Sequence, residues 1–369
     1  MRVVVDDKIP YIREALNRMG CEARYVAGNE ISPETVRDAD ALIVRTRTQC
    51  NAALLEGSRV QFIATATIGY DHIDAGYCAG RGICWTNAPG CNAASVRQYV
   101  QSVLLLLQRE RGLDLSSATL GVVGVGHVGT LVAEMARSWG MRVLLCDPPR
   151  AERGEEGFVS LEAIAREADV ITLHTPLTHE GPHATFHLAD EAFFASLRRK
   201  PYFINTSRGE TTDTRALLQA LDRGLIAQCC IDVWEHEPHI DLDLLDRCYI
   251  GTPHIAGYSA DGKANATRMS LESLSRHFGL GDVPTILPPP PPQRALSAAS
   301  RAEALLSIYD PHTDSRALKA SPSQFEYLRG HYPLRREEQA FDLSGKWKDL
   351  TSGKCNRRSL AEGKSKDER

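Results

Sequence analysis

The chain has 369 residues, 43% of them hydrophobic and 24% charged, with a formal net charge of −4. That balance reads as a globular protein of two or three domains, with no basic surface for nucleic acid. No apolar run reaches the roughly 18 residues of a membrane helix, and the opening MRVVVDDKIP is a charged-edged strand rather than a leader peptide, so a cytoplasmic chain without membrane contact is expected.

In chain order, Arg2 to Val5 reads as a strand, Pro10 to Met19 as a helix with proline in its first turn, and Ala41 to Val44 as a second strand. Gln61 to Ala66 continues the alternation, which predicts a largely parallel sheet covered by helices. Two polar clusters follow strands: Arg45 to Thr48, and Thr65 to Gly69 ahead of Tyr70-Asp71-His72. Ligands of open α/β sheets bind beyond the carboxyl ends of strands, so both clusters are placed to meet an anion. Solvated loops are the plain alternative. From Ala93 to Arg111 a long, mostly apolar helix predicts packing between two domains.

Thr119 to Asp147 reads as strand, glycine turn, helix and second strand. Gly124, Gly126 and Gly129 stand at G-x-G-x-x-G spacing. The first permits a tight turn, the second lets a pyrophosphate approach the backbone, and the third lets helix and strand pack closely. The helix starting at His127 and Val128 would aim unpaired N–H groups at the phosphates. Asp147 ends the second strand about 20 residues on, where a carboxylate suits a ribose diol and repels a 2′-phosphate. NAD is therefore the expected cofactor. The segment after Asp147, DPPRAERGEEG, reads as turn. Helix (Leu161–Glu167), strand (Val170–Leu173), helix (Asp190–Leu197), strand (Tyr202–Asn205), helix capped by Asp213, strand (Ala227–Ile231) and strand (Cys248–Gly251) complete a doubly wound sheet. A helix from Ser259 to Phe278 is expected to return to the first unit.

Three residues at strand ends carry chemistry: Arg208 in INTSRG, Glu237 in WEHEP and His254 in GTPHIAG. Oxidising a 2-hydroxy acid needs a base for the hydroxyl proton, a cation for the carboxylate and a hydride acceptor. A histidine oriented by a carboxylate and a planar guanidinium meet the first two needs. Singly, each also fits a surface ion pair, a loop acid or a loop histidine. The ten cysteines form no C-x-x-C pair, and Cys146, Cys229, Cys230 and Cys248 sit in or beside apolar runs. They read as reduced, packed thiols, and no metal site is expected.

GVGHVG with Asp147, NTSRG, DVWEHEP and PHIAG, together with the longer NAPGCNAASV, HTPLTHEGPHATFHLAD and PHIAGYSADGKA, resemble the D-isomer-specific 2-hydroxyacid dehydrogenase family from Met1 to about Phe341. The resemblance implies Arg208, Glu237 and His254 as catalytic, with His254 moving the proton. It implies Asp147, Thr175, Thr206, Ser207, Arg208, Asp232 and Gly257 as NAD contacts, and Thr46, Thr67 and Tyr258 as substrate contacts. It further implies NAD-dependent oxidation of a phosphorylated 2-hydroxy acid, 4-phospho-D-erythronate, to (R)-3-hydroxy-2-oxo-4-phosphobutanoate in the synthesis of pyridoxal 5′-phosphate (vitamin B6). A phosphoglycerate or glycerate dehydrogenase and a non-catalytic NAD-sensing protein are the alternatives. The implied architecture is α/β: a Rossmann-type doubly wound parallel sheet (95–257) inserted into a flavodoxin-like substrate domain (1–94 with 258–285). A partial C-terminal dimerisation module (286–343) would follow the stiff run Pro288 to Pro292, so a homodimer is expected. Within it ALSAASRAEALLSIYD reads as helix. From about Ser344 the sequence departs from the family, and 344–369 reads as a disordered tail.

Overall fold

Five short segments, each followed by a helix or helical turn, make the first sheet. In the computed structural model, which describes residues 1–344, they are β1 (Arg2–Asp6), β2 (Glu22–Val26), β3 (Ala41–Val44), β4 (Phe62–Thr65) and β5 (Cys84–Thr86). All run parallel in the order β2-β1-β3-β4-β5, the flavodoxin-like arrangement. They are joined through α1 (Ile12–Arg18), α2 (Pro33–Val36), α3 (Ala52–Leu55) and α4 (Ala75–Arg81). Leu42, Ile43, Val44 and Ile63 are fully buried, as two-sided cover of a parallel sheet requires. The sequence pattern missed β2 and β5 because both are edge strands; charged residues and partial exposure blur their period. The helix expected from Pro10 begins only at Ile12. Tyr11 takes a left-handed φ of 61°, which keeps Pro10 outside the helix.

The second sheet comprises β6 (Thr119–Val123), β7 (Arg142–Cys146), β8 (Val170–Leu173), β9 (Tyr202–Asn205), β10 (Gln228–Ile231) and β11 (Ile250–Gly251). Its parallel order is β11-β10-β9-β8-β6-β7, with a single parallel bridge from Leu145 to Phe158 beyond β7. The order reverses at β6, which opens a crevice at the ends of β6 and β8. Six helices follow after the long α5 (Ala93–Arg111): α6 (His127–Ser138), α7 (Pro148–Glu152), α8 (Leu161–Glu167), α9 (Glu191–Ser196), α10 (Thr214–Asp222) and α11 (Leu242–Arg247). Asp147, Ser160, Asp190, Asp213 and Asp241 each cap one of α7 to α11 by accepting a first-turn N–H, worth about 1 kcal/mol apiece. So the turn read after Asp147 is a short helix, with two prolines in its first turn. The last strand is shorter than Cys248–Gly251, because Cys248 instead caps α11 at its C-terminal end.

Helix α12 (Ala260–Phe278) carries the chain back to the first sheet. It packs on β4, and its Leu271 and Leu274 join Val3, Val5 and Ile43 in one core. Helix α5 packs on both α6 and α12; Tyr99, Val100, Val103, Leu104, Leu106 and Leu107 are wholly buried, which explains its long central apolar run. Three further helices, α13 (Arg301–Ile308), α14 (His312–Ala320) and α15 (Phe325–Gly330), close the described chain. The helix expected over ALSAASRAEALLSIYD starts only at Arg301, where Ser300 caps it. Leu305 and Tyr309 enter the α5 core, Leu318 and Phe325 the core of the second sheet. Ser315 Oγ accepts the Gly251 N–H at 3.1 Å, so α14 covers the β11 edge. Residues 345–369, expected to be disordered, lie outside the described residues. No helix among the described residues is long and apolar enough to cross a membrane.

Candidate active site

The glycine turn is shaped by contact. Gly124 has φ 85°, and a Cβ there would lie 2.7 Å from the His174 carbonyl carbon and 2.8 Å from Thr175 N; a Cβ on Gly129 would run into the Gly124 carbonyl. Gly126 faces open space and begins α6 without any side-chain cap, unlike the five helices after it. The N–H groups of His127, Val128 and Gly129 are thus left for an external acceptor. His127 also packs beneath Gly90, and Val128 leans on the α5 core. Thr175 Oγ1 and Asn92 Oδ1 are buried without partners, Asn92 lying directly under Gly257. An uncapped helix start, a cradle a Cβ would fill and unpaired polar atoms fit a dinucleotide. Asp147 is already engaged: its carboxylate accepts Val125 N at 2.8 Å and Arg150 N at 3.1 Å. A ribose diol there would meet the carboxylate's remaining lone pairs.

Asn205, at the end of β9, builds the next turn. Its amide donates to the Arg208 carbonyl and to the hydroxyls of Thr211 and Thr212, while its carbonyl accepts from Ser207 N and Oγ. That network presents the Thr206–Arg208 backbone to the crevice. Thr206 Oγ1 lies 3.2 Å from His174 Nδ1, and Thr172 Oγ1 lies 3.0 Å from its Nε2. Burial pushes His174 down to about 3, so it is a neutral part of the floor. Sequence reading missed both Asn205 and His174; their positions at strand ends were the available signal. Arg208 donates to its own neighbour's carbonyl at Ser207 and, among the described residues, pairs with no carboxylate.

His254 Nδ1 stands 2.8 Å from Glu237 Oε2. Burial alone would raise the Glu237 carboxyl. The hydrogen bond and charge of His254, helped by Trp234 N and Arg329, hold it below its usual range instead. An ionised Glu237 makes Nδ1 the donor, which leaves Nε2 with a free lone pair. His254 sits at φ 55°, a left-handed conformation fixed from behind by Asp232. The buried Asp232 carboxylate accepts Ile255 N and the Thr252 hydroxyl on one oxygen and Ala256 N on the other. Asp232, expected as an NAD contact, also holds the loop that carries His254 and Gly257.

The opposite wall is less uniform. Thr46 is exposed and Tyr258 partly buried. Thr67 spends its hydroxyl proton on the Gly69 carbonyl at 2.8 Å and contacts Thr65 Oγ1, so it is available to a ligand only as an acceptor. Two further cations, missed in the sequence, meet Tyr258. Lys263 Nζ lies 5.5 Å from its ring centroid, and Arg329 Nε donates to its hydroxyl at 3.2 Å. Lys263 is accessible as a residue, but partial burial of its ammonium, then the Arg45 charge, lower its pKa. The loop at Gly69 approaches Arg208, whose Nη2 would be 3.9 Å from a Cβ there. The two walls face each other across one cleft.

Fold and cleft together define a nicotinamide-dependent dehydrogenase. A family model, "D-isomer specific 2-hydroxyacid dehydrogenase, NAD binding domain", matches residues 93–256. An erythronate-4-phosphate dehydrogenase of Bacteroides fragilis is 58% identical, over 93% of this chain and 99% of its own. The D-lactate dehydrogenase of Aquifex aeolicus, solved with NAD and lactic acid, superposes with a TM-score of 0.59 at 25% identity, covering 76% of this chain and 96% of its own. An NAD-bound 3-phosphoglycerate dehydrogenase of Entamoeba histolytica gives a TM-score of 0.63 at 26% identity, covering 78% and 99%. These two structures leave about a quarter of this chain unmatched, a share equal in size to the stretch beyond α12. The chain belongs to the D-isomer-specific 2-hydroxyacid dehydrogenase family.

Proposed function

We propose that the protein oxidises 4-phospho-D-erythronate with NAD to (R)-3-hydroxy-2-oxo-4-phosphobutanoate, in the synthesis of pyridoxal 5′-phosphate. The observation that carries the substrate reading is the charge of the cleft. Arg45, Arg47, Lys263 and Arg208 have no carboxylate partner among the described residues; Lys263 feels the Arg45 charge and lies over Tyr258, four residues from His254, and Arg208 approaches the Gly69 loop. The substrate brings a carboxylate and a phosphate, roughly −2.5 to −3 in total near neutral pH. The name of the B. fragilis relative supports the same substrate.

In this mechanism Arg208 holds the C1 carboxylate with its planar fork and faces the oxygen on C2. His254 Nε2 takes the C2 hydroxyl proton while Glu237 holds Nδ1–H and stabilises the imidazolium that forms. Bound NAD, held by the glycine turn, Asp147, Thr175, Thr206–Arg208, Asp232 and Gly257, supplies the hydride acceptor. Asp147 favours NAD over NADP, because Arg150, the nearby cation, is committed to Glu155 at 2.5 Å and to the Val125 carbonyl at 2.6 Å. On this reading 1–94 with 258–285 hold the substrate and 95–257 the cofactor. Residues 286–343 would join a second copy in a cytoplasmic homodimer, a state that light scattering tests.

The full Arg208, Glu237 and His254 set disfavours a non-catalytic NAD sensor. The test is NAD reduction against 4-phosphoerythronate, erythronate, 3-phosphoglycerate and glycerate, with His254→Asn as control. 4-Phosphoerythronate should be preferred, and the variant should lose about 10² to 10⁴ in kcat while still binding NAD. Erythronate as the better substrate would refute the phosphate reading; an active His254→Asn would refute the proton assignment.

A further inference from the structure

The last described stretch of the chain grips the loop that carries His254. The Arg335 carbonyl accepts Ala260 N at 2.8 Å, and Arg335 Nη2 donates to the Ala256 carbonyl at 2.5 Å. Fully buried Glu337 accepts the Ser95 and Ser259 hydroxyls at 2.6 and 2.8 Å. Asp261 accepts Glu337 N and pairs with Arg336. So residues 256 to 261, between the proton-transferring histidine and α12, are fastened at several points by residues 335 to 337. These contacts all lie behind the loop, and none reaches the reacting groups.

Arg329 is different, because it reaches around to the front. From α15 its Nη1 stands 3.7 Å from Glu237 Oε2, the same oxygen that holds His254 Nδ1, and its Nε donates to the Tyr258 hydroxyl at 3.2 Å. We infer that Arg329 is a positioning residue of the active site: it sets how strongly Glu237 supports His254 and turns the Tyr258 hydroxyl toward the substrate. This rests on the reading of His254 and Glu237 as the proton-transferring pair.

The physical reason is competition for one carboxylate oxygen. A guanidinium beside Oε2 offsets part of the negative charge that would otherwise stabilise an imidazolium. The other charges facing the pair are Glu326, which shares Arg329 at 3.7 Å, and Asp232, which acts on His254 from the end of β10; Tyr258 completes the surround. Both acids favour the imidazolium, so Arg329 is the counterweight. At Tyr258, accepting the Arg329 N–H on the phenol oxygen leaves the phenol's own proton to be donated elsewhere.

The experiment compares Arg329→Gln, Arg329→Lys and Glu337→Gln in the full chain. Glu337→Gln loosens the grip behind the loop without touching Glu237. Loss of the cation should move the acidic limb of the kcat/KM profile up by about half to one pH unit. KM for 4-phosphoerythronate should rise several-fold, and Arg329→Lys should restore the limb to within about 0.2 unit. Glu337→Gln should lower Tm and leave the limb in place. Arg329→Met should reproduce the shift and serves if the glutamine variant does not fold. An unmoved limb in the neutral variants, or an equal shift in Glu337→Gln, overturns the inference. Because the limb can be followed with any 2-hydroxy acid the protein turns over, this result stands apart from the identity of the substrate. If His254→Asn stays active, the pair itself is misassigned, a separate failure.

Discussion

Replacing Glu237 with Gln removes a charge while keeping the shape, so it isolates what the carboxylate does for His254. The two side chains meet at 2.8 Å, with Glu237 Oε1 also accepting Trp234 N at 3.0 Å; Gln has a single acceptor oxygen, so it keeps a neutral hydrogen bond from His254 Nδ1–H only by giving up the Trp234 contact. A hydrogen bond to a charged group contributes about 1.5–3 kcal/mol against about 0.5–1.5 for a neutral one. The difference, about 1 to 1.5 kcal/mol, corresponds to roughly one pH unit in the ionisation that kcat/KM reports. The sign is fixed: without the carboxylate a protonated ring is less favoured, so the free base survives to lower pH and the acidic limb moves down. In kcat the same loss should appear as roughly a tenfold fall, because the imidazolium formed on proton transfer is no longer supported. Initial rates of NAD reduction across the pH range, at saturating NAD and variable substrate, measure both. A limb that stays in place with kcat reduced would mean that Glu237 only shapes the loop. The opposite directions expected for Glu237→Gln and Arg329→Gln make the pair a stricter test than either alone.

Asp147→Ala should weaken NAD about tenfold and leave the poor use of NADP nearly unchanged, which coenzyme titrations would show; equal use of both coenzymes by the unaltered protein contradicts the assignment. Lys263→Met and Tyr258→Phe should each lower kcat/KM for 4-phosphoerythronate by roughly tenfold to a hundredfold while sparing erythronate, and an equal loss on both would place these residues in structural support. Burial holds His174 at about 3, below the ordinary value of about 6.5, so the unfolded chain binds a proton in that window that the folded chain refuses. Stability should therefore fall as pH drops from about 6.5 toward 3, and His174→Gln should flatten the pH dependence of unfolding; an unaltered slope would show that the site opens to water.

Much of the second sheet was legible because its strands are buried on both faces. Val170–Leu173 and Tyr202–Asn205 appear at their expected bounds, and Asp213 caps the helix it was read to cap. Edge strands escaped because Glu22–Val26 needs to be apolar on one side only. The glycine turn was readable from spacing, since each glycine answers a contact that a Cβ would break. Arg329 and Lys263 were not readable. Arg329 lies far along the chain from Glu237 and Tyr258, and a lone cation on a helix, such as either residue, carries no period that separates a site residue from a solvated one.

The distribution of charge in the cleft explains why the fold needs two sheets rather than one. The second sheet places the proposed proton acceptor His254, its partner Glu237 and Arg208 after the ends of β9 to β11, a geometry that any 2-hydroxy acid satisfies. Nothing there distinguishes a phosphorylated substrate. The cations proposed to discriminate, Arg45 after β3 and Lys263 on the first turn of α12, belong to the first sheet and its returning helix. Helix α12 begins six residues after His254, so the loop that positions the base also positions Lys263. A shift of this loop would move both at once, and the buried contacts of Asp232, Arg335 and Glu337 are what oppose such a shift. Chemistry and the proposed substrate choice are therefore coupled through six residues of backbone, 254 to 259, held from one side by the second sheet and from the other by residues 335 to 337.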